Sequence, residues 1–294
     1  MATDFTEETA TDAVIESFHA TPEPRLKEVL TSLTQHLHAF VRDVRPTHSE
    51  WEQAIEFLTE TGQKCDDVRQ EFILLSDVLG VSMLVETINE RETPGATSAT
   101  VLGPFHVVDS PPRALGDTID LIGTGHPCVV TGRVLSQDGS PLPGAVVDVW
   151  QGNEKGFYDV QQPGIQPLGN GRGLFTTDER GAFWFRTVVP SYYPIQTDGP
   201  VGRMLERTGR HPNRPAHIHF IVGAEGHAPV TTHVFVKDSP YIENDTVFAV
   251  KESLIADFVH TDDPDLAREH GVRNPFAHAQ VDIVLESVSD MRPA

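Results

Sequence analysis

Cysteine is scarce in this chain of 294 residues, which limits the kinds of protein it can be. Its two cysteines, Cys65 and Cys128, are too few for a disulfide framework and form no Cys-x-x-Cys metal site. The N-terminal stretch MATDFTEETATDAV is acidic and lacks the basic segment and apolar core of a secretory signal. These features predict a protein of the reducing cytoplasm.

Basic residues and long apolar runs are also lacking. Lysine and arginine number 22 against 43 aspartates and glutamates, which gives a formal net charge of -21. An acidic surface repels phosphate groups, so we expect no nucleic-acid partner and no anionic membrane as partner. No stretch approaches the roughly 20 consecutive apolar residues of a membrane-spanning helix. The length is ample for one or two domains with a large core.

The spacing of apolar residues predicts helices from residue 11 to about residue 92. Between Leu26 and Val44, apolar side chains recur every three or four positions and form one stripe on a helix. Pro46 ends this helix, because proline cannot continue the hydrogen-bonding pattern. Ser49 and Glu52 have the spacing of a capping box and predict the start of the next helix.

A third and more apolar helical segment covers residues 68–91, and the stretch ETPGATSAT at residues 92–100 breaks the pattern. Beyond it the apolar period changes from helical to two, and the strands are separated by Gly/Pro turns. Examples are PCVVTGRVLS, GLFTTDERGAFWFRTVV, AHIHFIVG, VTTHVFVK and AQVDIVLE. We therefore predict a helical domain in residues 1–100, followed by an antiparallel β-sandwich in residues 101–294.

The segment RPAHIHF contains a histidine pair with the geometry of a metal chelate. Alternate residues of a strand point to the same face, so His217 and His219 project together. The same spacing occurs at His36 and His38, but those residues fall in a predicted helix, where positions two apart face different directions. The strand pair is therefore a candidate for binding Zn, Cu, Ni or Fe, whereas the helical pair is not.

Several side chains could complete such a site. A carboxylate would give the two-histidine, one-carboxylate arrangement of Fe(II) enzymes, and Asp148, Asp159 and Asp198 are candidates by position. Tyrosine is the other source of an anionic oxygen, and the chain has only four. Three of them lie in polar loops rich in glycine and proline, and two phenolates with two imidazoles would suit Fe(III). The four tyrosines are Tyr158, Tyr192, Tyr193 and Tyr241.

The order and spacing of three motifs carry a specific resemblance. VVDVWQGNEKGFYDVQ, then YPIQTDGPVG, then RPAHIHF, is similar to the signature of the intradiol ring-cleavage dioxygenases. These are non-haem Fe(III) enzymes that open catechols between the two hydroxyl-bearing carbons. The resemblance extends over nearly the whole chain, including the helical N-terminal part, and implies one Fe(III) per chain, a small aromatic diol or triol as substrate, and O2.

The resemblance also assigns roles to residues. It implies that the iron ligands are Tyr158, Tyr193, His217 and His219, with Tyr193 leaving the metal to accept a substrate proton. Arg214 matches the catalytic arginine of the family. Related enzymes further imply a homodimer through the N-terminal helices, with a lipid-like molecule possible at its interface.

Other positions look like the branch that acts on hydroxyquinol (benzene-1,2,4-triol). His233 stands where catechol-specific members carry glutamine, and the carboxylate of Asp77 could bind the third hydroxyl. The implied product is 3-hydroxy-cis,cis-muconate, which tautomerises to maleylacetate. Gln196 departs from the family's usual proline and puts the substrate range in doubt. The predicted pocket wall comprises Leu74, Asp77, Val101, Leu102, Gly103, Pro104, Phe105, Ile195, Gln196, Arg214, His233 and Val247.

Two alternatives remain open from the sequence. The first is a catechol or chlorocatechol 1,2-dioxygenase, which performs the same chemistry with a different pocket. The second is a non-catalytic β-sandwich that binds a carbohydrate or protein partner. A coloured protein would favour the enzyme, because Fe(III)-tyrosinate absorbs visible light.

Overall fold

The computed structural model describes residues 4–66, 69–90 and 95–288 of the chain. They form two compact units, the first ending at Glu60 and the second beginning at Thr61. The second unit therefore contains helices as well as all the strands, whereas the sequence suggested a boundary after residue 100. No helix within the described ranges is long and apolar enough to cross a membrane.

Three helices begin in the first unit: α1 (Ala10–Glu16), α2 (Pro24–Val44) and α3 (His48–Gln63). Helix α2 ends at Val44, and Arg45 caps it in a left-handed conformation just before Pro46, as expected. The capping box predicted at Ser49 and Glu52 is wrong by two residues. Thr47 and Glu50 instead bond each other's backbone N–H groups at 3.3 and 2.8 Å.

The apolar stripe of α2 is exposed in the chain. Seven of its side chains are between 44% and 59% exposed. His38, on the same helix, has a different partner from a metal: its Nδ1 lies 3.0 Å from the hydroxyl of Thr11. The exposed side chains are Leu26, Val29, Leu33, Leu37, Phe40, Val41 and Val44.

The predicted third helical segment is two helices, α4 (Glu71–Val78) and α5 (Val81–Asn89). Gly80 separates them with a φ of +73°, a backbone conformation that residues other than glycine rarely adopt. Of the predicted break at residues 92–100, residues 92–94 lie outside the described residues. Two short helices follow later in the chain, α6 (Pro200–Arg207) and α7 (Pro264–His270).

The strands form a β-sandwich of two five-stranded sheets. The strands of the first sheet are β1 (Pro127–Ser136), β4 (Ala182–Val188), β10 (Phe258–Thr261), β11 (Phe276–Gln280) and β12 (Ile283–Leu285). The second sheet has the order β3-β2-β7-β8-β9, and a separate two-stranded ladder joins β5 to β6. These strands are β2 (Val146–Trp150), β3 (Arg172–Thr176), β5 (Tyr193–Pro194), β6 (Asn213–Arg214), β7 (His217–Gly223), β8 (Val230–Val236) and β9 (Ile255–Ala256).

The sandwich confirms the predicted architecture, although its sheets are mixed and not antiparallel throughout. Strand β1 pairs antiparallel with β4 but parallel with β11 and β12, and β8 pairs parallel with β9. Parallel pairing requires a crossover, and the chain passes through the second sheet before it returns as β11 and β12. The period-two apolar pattern within each strand does not show which distant strands pair, so the sequence could not predict this connection.

The core between the sheets determines which way β7 presents its side chains. Ile218, Phe220 and Val222 are fully buried in that core. Because successive strand residues alternate faces, His217 and His219 point to the other side of the sheet. They are buried there too, so this outer face is covered, and the cover forms the candidate site.

Candidate active site

The two histidines lie in a row of aromatic side chains that crosses three strands. Trp150 on β2 and His233 on β8 are the direct cross-strand neighbours of His219. The Trp150 ring stacks on His219 at 4.6 Å and 10°, and the His233 ring lies 4.1 Å away on the other side. His219 is therefore held between two flat neighbours, as expected for facing cross-strand residues.

Two tyrosines approach the histidines from loops and from the short ladder. Tyr158 is fully buried and immediately precedes a turn of 3-10 helix at Asp159–Gln161. Phe105 stacks on the Tyr158 ring at 4.6 Å. Tyr193 lies on β5, directly opposite Arg214 on β6. Tyr192 is about two-fifths exposed and packs against Tyr241, away from this cluster.

Four donor atoms meet at one point. Nε2 of His219 is 3.0 Å from the Tyr158 hydroxyl and 3.2 Å from Nε2 of His217. The Tyr193 hydroxyl is 3.3 Å from both His217 Nε2 and the Tyr158 hydroxyl. Ligands bound about 2.0–2.2 Å from a metal lie roughly 3 Å from one another, so this spacing fits a metal ion.

The protonation of the histidines suits metal binding. Nδ1 of His217 donates a hydrogen bond to the carbonyl oxygen of Pro215 at 2.7 Å, which leaves Nε2 free to bind a metal. Burial lowers the pKa of His217, His219 and His233 well below the usual value, and the charge of Arg214 adds to the effect on each ring. Neutral imidazole is the form that metals bind.

Tyr158 has the opposite electrostatic problem. Burial raises the pKa of Tyr158 well above its usual value, and the neighbouring Tyr193 adds to the rise. A buried phenolate is therefore unstable unless a cation compensates it. A metal ion bound at the Tyr158 oxygen would supply such a compensating charge.

His233 lies beside the histidine pair. Within the described ranges, one group of three potential metal-ligating side chains comes together, with one ring nitrogen of each within 4.8 Å of the others. Its members are His217, His219 and His233. Nδ1 of His233 is hydrogen-bonded to Thr100, and no partner for its Nε2 occurs among the described residues. His233 is thus a buried neighbour that packs against His219.

The three candidate carboxylates lie elsewhere, so the alternative of a carboxylate ligand is not supported. Asp148 is 3.2 Å from His106, and Asp159 pairs with Arg172. Asp198 pairs with Lys64 and Arg69, and the hydrogen bonds from these two residues lower its pKa to about 2. Sequence position alone could not show that each carboxylate already had a partner.

Arg214 is a buried charge at the edge of the cluster. Its Nε and Nη2 atoms each lie 3.2 Å from an oxygen of Asp245, and its Nη1 lies 3.4 Å from Nε2 of His217. Burial alone would lower the pKa of Arg214, but Asp245 and the two tyrosines raise it. The guanidinium is therefore a permanent positive charge next to the four donor atoms.

A pocket opens beside this cluster. Its lining surrounds about 390 Å³ of empty space, a volume that includes open solvent. Apolar residues form most of its wall, and Asp77 and Gln196 supply polar groups together with Arg214. The lining residues are Leu74, Asp77, Val101, Gly103, Pro104, Phe105, Tyr193, Ile195, Gln196, Arg214 and Val247.

Most of the predicted wall is therefore brought together. Leu102 and His233 lie outside the set of lining residues: Leu102 is 45% exposed, and His233 is buried next to the histidine pair. Burial raises the pKa of Asp77, an effect that a hydrogen bond with Ser82 and the charge of Arg214 partly offset. A carboxyl group thus faces an otherwise apolar pocket.

Two family models match the chain. The Dioxygenase family matches residues 113–287, and the family described as Catechol dioxygenase N terminus matches residues 23–97. The chain belongs to the intradiol ring-cleavage dioxygenases.

Individual relatives of this dioxygenase carry related names. The chain is 54% identical to the hydroxyquinol 1,2-dioxygenase of Rhizobium sp. (strain MTP-10005). The 270 aligned residues cover 92% of each chain. It is 51% identical to the 6-chlorohydroxyquinol 1,2-dioxygenase of Cupriavidus pinatubonensis, over 86% of this chain and 91% of that one. The structure of hydroxyquinol 1,2-dioxygenase from Pseudomonas putida DLL-E4 superposes with a TM-score of 0.89 at 46% identity, over 96% of this chain and 98% of that one.

Sequence reasoning missed two residues that this dioxygenase places around the cluster. Trp150 supports one face of His219, and Asp245 holds Arg214. Trp150 belongs to the first quoted motif, but only the pairing of β2 with β7 places it opposite His219. Asp245 has no signal in the sequence, because it lies 31 residues from its partner in a loop.

Proposed function

We propose that this dioxygenase holds one ferric ion between Tyr158, Tyr193, His217 and His219. With O2 it cleaves hydroxyquinol between the two adjacent hydroxyl-bearing carbons. The product is 3-hydroxy-cis,cis-muconate, a tautomer of maleylacetate. The observation that carries the proposal is the meeting of two phenol oxygens and two imidazole nitrogens within 3.0–3.5 Å.

The chemistry of the donor set favours iron over other metals. Imidazole is a suitable ligand for Zn, Cu, Ni and Fe, so the tyrosines decide among these metals. Tyr158 and Tyr193 supply two buried phenol oxygens, which are hard anionic donors when ionised, and Fe(III) is harder and more charged than a divalent metal. A bound ferric ion would supply the Lewis acidity that keeps both tyrosines ionised and draws electron density from a bound catecholate.

The residues of the chain contribute orientation and proton transfer. Tyr193 lines the pocket and can accept a proton from a substrate hydroxyl when its own oxygen is released for that purpose. Arg214 lines the same pocket, and its permanent charge can stabilise negative charge that develops on the ring. Phe105 and Trp150 cover the ligands and exclude water, which strengthens both electrostatic effects.

Asp77 supports hydroxyquinol as the substrate. Its carboxyl group faces a pocket whose other walls are mostly apolar, and a third hydroxyl on the ring would give it a hydrogen-bond partner. Catechol would leave it without that partner, at a cost of roughly 1–3 kcal/mol. The two relatives that are more than half identical bear the names of hydroxyquinol-type enzymes, in agreement with this assignment.

A catechol or chlorocatechol 1,2-dioxygenase is the second candidate. Gln196 is the reason to retain this candidate, because Gln196 lines the pocket at a position where the family usually has proline. A non-catalytic binding module is disfavoured, since such a protein would have no need of four buried metal-type donors at one point.

Oxygen uptake by the iron-loaded protein tests the proposal. We expect kcat/KM for hydroxyquinol to exceed that for catechol by about tenfold or more, as a hydrogen bond to a charged group predicts. A preference for catechol would favour the second candidate. Absence of oxygen uptake with either compound, at full iron occupancy, would exclude both.

The assembly is part of the same proposal. The exposed apolar stripe of α2 supports a homodimer through the N-terminal helices, since contiguous apolar surface of this kind is rare on monomers. A lipid-like molecule at that interface and a cytoplasmic location stay predictions. Sedimentation should give a dimer at micromolar concentration, and Leu33→Glu on the stripe should produce a monomer with unchanged iron content.

A further inference from the structure

Asp245 is a buried carboxylate to which neither the proposed metal site nor the substrate contacts assign a role. We propose that it is a positioning residue, which fixes Arg214 against the substrate pocket and thereby controls turnover without taking part in metal binding. The proposal rests on the proposed function, because Arg214 acts on the substrate of that reaction. It adds a residue on which catalysis depends, in a different part of the chain.

The contact between the two side chains is a two-point contact. Nε of Arg214 bonds Oδ1 of Asp245, and Nη2 bonds Oδ2, both at 3.2 Å. The side chains are 4% and 2% exposed. Two parallel bonds fix the plane of a guanidinium as well as its position, which a single bond cannot do.

The backbone holds Asp245 in turn. The N–H of Val247 donates to Oδ1 at 3.3 Å, and the N–H of Ala249 donates to Oδ2 at 3.2 Å. Thr246 then donates its N–H to the carbonyl oxygen of Asn213, next to Arg214, at 3.3 Å. The carboxylate is thus anchored to a loop that is itself tied to strand β6.

This loop has an unusual backbone. Tyr241 and Phe248 have φ values of +69° and +60°, in the left-handed region that bulky side chains rarely adopt. Such conformations persist only where the surrounding contacts determine them, and they are concentrated at functional sites. They lie on either side of Asp245, so the conformation that presents its carboxylate is maintained at an energetic cost.

The pairing leaves one edge of the guanidinium for the site. Asp245 occupies Nε and Nη2, and Nη1 lies 3.4 Å from Nε2 of His217. Asp77 is a carboxyl group in the pocket that Arg214 lines, and the charges of both Arg214 and Asp245 act on it. Without Asp245, the guanidinium would lose its two-point contact, while the attraction of Asp77 would remain and could shift Arg214 from its position beside His217.

A second buried pair provides a contrast. Arg172 donates two bonds to Asp159 at 2.7 and 2.9 Å, and both side chains are almost fully buried. Asp159 follows Tyr158 and also accepts the N–H of Gly169, so it supports the loop of a proposed iron ligand. Asp159→Asn should therefore lower iron content, whereas Asp245→Asn should not.

A double-mutant cycle on kcat/KM tests the proposal with the iron-loaded protein. Asp245→Asn should lower kcat/KM by about ten- to a hundredfold, as expected when a catalytic group is displaced by roughly 1 Å. Iron content and the visible band of the resting protein should stay as in the unaltered chain. In the Arg214→Gln background, Asp245→Asn should cost less than about threefold. Additive losses, or loss of iron in Asp245→Asn, would overturn the proposal.

Chemical rescue provides a second measurement, because Asp245→Asn leaves a buried charge unpaired and can impair folding. Millimolar guanidinium should restore turnover to Arg214→Ala, where Asp245 can bind the added ion. It should not restore turnover to Arg214→Ala/Asp245→Asn, a pair change that leaves no buried charge. An equal effect on the two variants would overturn the proposal. An unaltered chain that turns over neither hydroxyquinol nor catechol would instead count against the proposed function.

Discussion

Tyr193 and Arg214 lie directly opposite each other in the two-residue ladder of β5 and β6. This pairing brings a metal-type donor and a permanent positive charge to the same pocket. The 18 residues between the two strands, 195–212, form loops and helix α6. A ladder fixes the distance between its members more tightly than two loops would. The relative position of the proposed base and the proposed charge stabiliser is therefore set by backbone hydrogen bonds.

The two tyrosines should give the protein its colour. Tyr158→Phe removes one of the four converging oxygens and nitrogens, so the visible band should weaken and the iron content should fall below one per chain. Tyr192→Phe is the matched control, because Tyr192 packs against Tyr241 outside the cluster and should leave both measurements unchanged. Stoichiometric zinc in a colourless, purified chain would refute the assignment of iron.

Asp77 should determine the preference for the triol. Asp77→Ala should lower the ratio of kcat/KM for hydroxyquinol to that for catechol by about tenfold, since a hydrogen bond to a charged group contributes roughly 1.5–3 kcal/mol. Leu74→Ala, on the same pocket wall, is the control and should affect both substrates alike. If instead His233→Gln shifts activity toward catechol and Asp77→Ala does not, Asp77 does not recognise the third hydroxyl.

Gly103 should be needed for the position of His219. A Cβ at this residue would lie 3.0 Å from Cε1 of His219, and the φ of +76° also disfavours a side chain. Gly95→Ala is a control for backbone strain alone, because Gly95 has a φ of +89° and an added Cβ would meet no atom of the described residues within 4 Å. Both variants should lose about 1–2 kcal/mol of stability from strain, and Gly103→Ala alone should lose iron. Equal iron content in the two variants would show that the contact is harmless.

The buried histidines should make the metal-free protein sensitive to acid. The folded-state pKa of His217, His219 and His233 is far below the unfolded value of 6.5, so the unfolded chain binds more protons as the pH falls. Their contribution to stability is present above pH 6.5 and is lost below it, at about 1.4 kcal/mol per pH unit for each histidine. Urea unfolding of the metal-free chain between about pH 7.5 and about pH 5.5 measures this slope.

A variant with one titrating ring fewer checks this assignment. His233→Gln should reduce the slope by about one third, because glutamine takes up no proton. A slope that is the same in the variant and the unaltered chain would show that other groups cause the acid sensitivity.

The sequence predicts much of the site because its parts are local. The position of His217 and His219 on one face follows from strand periodicity, and the motifs around Tyr158 and Tyr193 identify the other donors by resemblance. The sandwich follows from the change of period after residue 100. These features depend on neighbours within a few positions along the chain.

The remainder depends on long-range contacts that periodicity does not encode. The parallel pairing of β1 with β11 and β12 joins segments about 150 residues apart. The pairing of Arg214 with Asp245 requires a loop with two left-handed residues. His233 was expected at the substrate, but the register of β8 against β7 places it beside His219 instead. The predicted capping box was wrong because Thr47 and Glu50 fit the same spacing as Ser49 and Glu52, and the spacing alone does not choose between them.

The product formed from hydroxyquinol under isotopically labelled oxygen tests the central claim most directly. The iron-loaded protein should consume one O2 per triol and place both labelled oxygen atoms in 3-hydroxy-cis,cis-muconate, detected by mass spectrometry before exchange with water. A product cleaved outside the two hydroxyl-bearing carbons, or a product without label from O2, would contradict the account.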